Sequence, residues 1–90
     1  MAEHNPKVVP ELLGKTVRAS SRGNYPYVYL FIPRRYFLSQ DGKPLLDVFW
    51  QHFPMRPGVN WMQTETSFNK YDYEVLDANF RGTGTVFRAE

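Results

Sequence analysis

Hydrophobic and polar positions alternate most clearly between Tyr27 and Ile32. Val28, Leu30 and Ile32 fall on one side of an extended chain, and Tyr27, Tyr29 and Phe31 on the other. Both sides are apolar, which predicts a central strand covered on two sides. The aliphatic side is the natural core, and the aromatic side can keep its polar tips in water. A second alternation, Tyr71–Leu76, sets Tyr71, Tyr73 and Val75 against Asp72 and Glu74, the pattern of a half-exposed strand. Shorter alternating runs at Lys15–Ser20, Val59–Thr66 and Thr85–Arg88 predict three more strands.

Between these runs the chain carries turn and helix signals. Residues 1–10 are polar, contain Pro6 and Pro10 and lack periodicity, so they are expected to form a flexible arm ahead of a single β-rich domain over 11–90. One turn of helix is expected at Glu11–Leu13, stopped by Gly14. Pro33 is expected to end the central strand, with Arg34–Ser39 forming a helical turn behind it, because proline suits a first helical position. Residues 21–24, 40–43, 55–58 and 77–84 read as turns or loops. Leu45–Phe53 fits two patterns. As a helix it stacks Leu45, Phe49 and Phe53; as a strand it groups Leu46, Val48 and Trp50. The bracketing Pro44 and Pro54 favour the helix. The sum is an α+β domain, a small mainly antiparallel β-sheet or partly open barrel of about five strands, with one or two short helices.

Composition narrows the function. Ninety residues hold one domain, and seven prolines disfavour long helices. Two Trp, seven Phe and six Tyr make the chain 17% aromatic. One small core cannot easily shelter fifteen rings, so some are expected at the surface as one contact area. There is no cysteine, which excludes disulfides and thiol chemistry and makes an intracellular, soluble, cytoplasmic setting the default expectation. The longest apolar run, Tyr27 to Ile32, is far too short to span a membrane as a helix, and the N-terminal residues do not read as a secretory signal. Charge is uneven: residues 1–40 carry six bases against two acids, residues 41–90 five bases against seven acids. The excess of base in the first half favours an acidic or anionic partner there.

Catalytic chemistry has little to draw on. His4 and His52 are not spaced as metal ligands, and no serine sits in a nucleophile-elbow context. Asp72 and Glu74 point the same way, but such pairs usually form a solvated strand face. Gly82-Thr83-Gly84 lacks the helix that a phosphate loop needs. The expectation is a non-enzymatic domain without metal or small-molecule cofactor.

Two binding readings remain. The leading one is a small protein-binding module, an accessory subunit of a larger assembly or an inhibitor, with a protein partner or a second copy of itself. Its contact residues would be Tyr25, Tyr27, Tyr29, Arg34, Arg35, Tyr36, Trp50, Met55, Arg56 and Trp61, types enriched at interface hot spots. The alternative is nucleic-acid binding through segment 15–35, where Lys15, Arg18, Arg22, Arg34 and Arg35 interleave with Tyr27 and Tyr29. Within that segment, Val17-Arg18, Ser21-Arg22-Gly23-Asn24 and Leu30-Phe31-Ile32-Pro33-Arg34-Arg35 resemble the opening of swapped-hairpin DNA-binding domains of the AbrB type. The resemblance covers about a fifth of the chain and implies a strand that ends at Ile32-Pro33 and a short helix after it. Where that family has Gly-Asp before its third strand, this chain has Asp41-Gly42 followed by Lys43-Pro44.

Overall fold

The longest strand is built on the Tyr27–Ile32 alternation but runs well past it. The computed structural model describes residues 9–22 and 27–88. A four-residue helix, α1 (Val9–Leu12), precedes β1 (Val17–Ser21), β2 (Val28–Leu38), β3 (Pro44–His52) and β4 (Met62–Ser67). A 3₁₀ turn, Phe68–Lys70, leads into β5 (Tyr71–Leu76) and β6 (Gly82–Arg88). All strand pairs are antiparallel, and the order across the open sheet is β4-β3-β2-β1-β5-β6. No helix of the described residues is long and apolar enough to cross a membrane.

Two expected helices are strand. Pro33 does not stop β2, because it sits beside a bulge between Pro33 and Arg35, where a ladder tolerates a residue without N–H. The expected helical turn at Arg34–Ser39 is therefore mostly the second half of β2, and the end implied by the AbrB-type resemblance is absent. Leu45–Phe53 follows the strand pattern of Leu46, Val48 and Trp50 as most of β3, paired to β2 on one side and β4 on the other. The helix reading loses because a chain flanked on both sides by ladder partners satisfies its backbone there, whatever its local spacing. The sheet thus has six strands, and the molecule is mainly β.

The core lies on the aromatic side of β2. Phe31 is buried with Leu12, Val17, Ala19, Leu46, Val48, Phe68, Tyr71 and Tyr73, and Tyr29, Tyr36 and Trp50 pack partly against them. The expectation of an aliphatic core face is corrected: Leu30 is buried on the opposite side, while Val28 and Ile32 are only half-buried there. Beyond the bulge the alternation shifts by one, so Tyr36 rejoins the core side and Arg35 turns away.

The connection between β4 and β5 curls the sheet. In the strand order these two stand four strand spacings apart, roughly 19 Å in a flat sheet. A 3₁₀ turn of three residues spans only about 8 Å. The sheet must bend its aromatic face inward to close that difference. α1 caps the resulting trough, held by the Gly14 N–H donating to the Pro33 carbonyl at 2.7 Å.

Candidate functional site

The inward bend brings rings from three strands together. Tyr29 and Phe31 of β2 are stacked, with centroids 5.9 Å apart and planes at 14°. Trp50 of β3 stands across Tyr29 at 5.7 Å and 89°. Tyr71 of β5 stands across Tyr29 at 6.0 Å and 87°, and across Phe31 at 5.0 Å and 81°. With Thr64, Glu65 and Thr66 of β4 they line a cleft of about 210 Å³ in the gap between β4 and β5. Phe31 and Tyr71 are nearly covered and form its floor; Tyr29 and Trp50 are half-exposed walls.

Register decides what each β4 residue offers. Thr64 lies opposite Val48 and Thr66 opposite Leu46, so both hydroxyls share the core-side face with the rings. Glu65 lies opposite Asp47 on the other face, where Gln63 donates to both Asp47 oxygens at 3.1 and 3.2 Å. Glu65 therefore meets the cleft through its main chain. The Thr66 hydroxyl donates to the Tyr71 hydroxyl at 3.4 Å, which links β4 to β5 across the gap. Burial, and then the neighbouring Tyr71 and Tyr27, push the Tyr29 hydroxyl above its ordinary range, so it stays neutral near pH 7.

Exposed apolar side chains continue from the cleft. Met62, opposite Trp50, shares a second hollow with Gln51, His52, Arg56 and Val59. Met62 is 50% exposed and Val59 44%, and Phe53 and Met55 in the same loop are also exposed. His52 packs on Tyr29 and Trp50 at 5.6 and 5.3 Å, joining the two hollows. β4 itself is an edge strand of six residues in unbroken register, without proline, lysine or bulge on it. The other edge, β6, is interrupted by a register shift and by Gly84 at φ 82°.

The sequence-derived contact residues fall in several places. Tyr29 and Trp50 meet in the cleft. Met55, Arg56 and Trp61 belong to the adjoining 53–61 loop, with Trp61 half-buried. Tyr27 is 66% exposed beside β2. Tyr36 is half-buried, edge-on to Phe68 at 5.7 Å. Arg34 and Arg35 lie at the far end of β2, over the rings of Phe49 and Phe37. Tyr25 lies outside the described residues. A single patch made of all these residues does not form. Among the described residues Tyr27 and Phe53 are exposed rings, and Tyr29, Trp50 and Trp61 are partly exposed. Tyr71, Thr64, Thr66 and Val59 belong to the surface but were not among the expected contacts. The strand reading of Leu45–Phe53 was the available signal, because it aligns Trp50 with Tyr29 and Phe31.

The bases of segment 15–35 mostly face acids or rings of the same chain. The Arg18 guanidinium donates to Glu74 at 2.6 Å, and Arg22 lies 3.7 Å from Asp72. The carboxylates Asp72 and Glu74 thus share a face and serve as ion-pair partners. Lys15 is exposed next to β1. Comparisons with protein-family models, characterised proteins and solved structures give no match for this chain.

Proposed function

We propose that the chain is a non-enzymatic protein-binding module whose contact surface is the ring-lined cleft, the free edge of β4 and the 53–61 loop. One observation carries this reading. Exposed Val59 and Met62 run directly into the Trp50 and Tyr29 walls, alongside an edge strand that pairs with no further strand among the described residues. Surfaces of this kind, apolar and edged by unpaired main-chain groups, take partner proteins by strand addition and side-chain insertion. The basic residues of segment 15–35 support nucleic-acid contact less, since Arg18 and Arg22 are matched by carboxylates and none of the five bases lines the cleft.

The test compares partner capture from a native extract by the wild-type chain, Met62→Lys and Val86→Lys. Both substitutions replace an exposed apolar residue, one on β4 and one on the opposite edge. Capture by wild type and Val86→Lys but not Met62→Lys supports the reading. Equal capture by all three, or capture of nothing by a monomeric wild type, overturns it. Light scattering on the same samples separates a foreign partner from a second copy.

A further inference from the structure

We propose that the cleft receives an organic cation from the partner: the side chain of an alkylated lysine, with its quaternary ammonium against the ring faces of Tyr29 and Trp50. This inference rests on the protein-binding reading and names the chemistry of its central contact.

Three observations point to it. Rings at the cleft lie in two perpendicular orientations, with Trp50 and Tyr71 each close to 90° from Tyr29. Ring faces carry negative potential, so faces set around a small space favour a cation inside it. The second observation is how the chain uses its rings elsewhere. Phe53, Phe49 and Phe37 each have a cation of the chain above them, from Arg18, Arg34 and Arg35 respectively, and at the floor of the cleft Lys70 lies over Tyr71. Among the described residues, no cation of the chain lies over Tyr29, Phe31 or Trp50. The third is charge: no base lines the cleft, and the acids nearest it, Glu65 and Asp47, lie on the reverse face of the same strand pair.

The same geometry selects among cations. A primary ammonium loses three strong hydrogen bonds to water on entering, and a bare lysine needs a carboxylate inside to replace them. Here the Glu65 side chain lies on the opposite face, and the cleft offers hydroxyls and rings. A trimethylated ammonium has no N–H to satisfy and spreads its charge over methyl groups that pack against rings. The alkylated form is therefore the better occupant.

The experiment is an NMR titration of the ¹⁵N-labelled full chain with three probes: Nα-acetyl-Nε-trimethyllysine methylamide, its uncharged tert-butyl carbon isostere, and Nα-acetyl-lysine methylamide. The indole N–H of Trp50, assigned with Trp61→Phe, reports entry to the cleft. Trimethyllysine is expected to bind roughly five-fold or more tighter than the isostere and than lysine. In Trp50→Leu that margin over the isostere should vanish, and in Trp50→Phe it should shrink. An isostere as tight as the cation, a tighter lysine, or no shift of Trp50 at probe concentrations on the order of tens of millimolar overturns the proposal. Loss of capture by Met62→Lys alongside any of these results would leave the binding surface standing and remove only its cation. A cation preference without protein capture would do the reverse.

Discussion

The Tyr73 hydroxyl donates a 2.6 Å hydrogen bond to the Phe68 carbonyl, and the two rings stack at 5.4 Å and 19°. This pair pins the 3₁₀ turn that carries the chain from β4 to β5, and so fixes both sides of the cleft. Tyr73→Phe keeps the stacking and leaves a buried carbonyl without this donor. The expected loss is about 1–2 kcal/mol in denaturant unfolding. Burial holds the Tyr73 hydroxyl far above the ordinary tyrosine range. A folded value raised above the unfolded one means that stability is complete below about pH 10 and falls as pH rises beyond it. Unfolding followed from pH 8 to 11 should show that fall, and it should be shallower in Tyr73→Phe.

Glu74 is wedged between Arg18 and Gly82. A Cβ placed on Gly82 would meet the far end of the Glu74 side chain, which must move aside to admit it. Gly82→Ala is expected to cost up to about 1 kcal/mol by shifting Glu74 from the Arg18 ion pair. In a Glu74→Ala background the same change should cost much less. Additive effects in this double-mutant cycle would show that the two residues do not compete for the same volume.

The reversed face of β2 gives a direct contrast between neighbours. Phe31→Ala removes a ring at 3% exposure from the core, and should cost about 3–5 kcal/mol. Ile32→Ala, half-exposed on the other side, should cost under about 2 kcal/mol by the same measurement. Equal losses would mean that both faces are equally buried.

Binding to single- and double-stranded oligonucleotides, titrated with salt, probes the cations of segment 15–35. With Arg18 and Arg22 matched by Glu74 and Asp72, a log–log slope near zero is expected. A slope of several would count released counterions and put nucleic acid ahead of the protein-binding reading.

Much of the sheet was legible in the sequence. Asp72 and Glu74 alternate with Tyr71 and Tyr73, and the polar residues face outward as that alternation requires. The Tyr27–Ile32 run gives a central strand, but its two apolar faces cannot be ranked by pattern alone. What ranks them is tertiary: the sheet bends toward Tyr29 and Phe31 because β4 and β5 are tied together, and sequence periodicity contains no such term. Pro33 and Pro44 misled for a related reason. Each was read as a boundary for a helix, whereas a bulge at Arg34 and a strand start accommodate them in the sheet. The site inherited both errors. With Leu45–Phe53 read as helix, Trp50 had no reason to stand beside Tyr29, and the threonines of β4 had no cleft to line.

The three-residue link at Phe68–Lys70 has a consequence for how this molecule could change. The width of the opening between Thr66 and Tyr71 is bounded by a tether length, before any side chain around it is considered. Adding one or two residues there would let the two margins drift apart and admit a bulkier guest, with every ring left as it is. Evolution or a designer could thus retune the size of what is accepted by an insertion, and its chemistry by substitution, along separate routes.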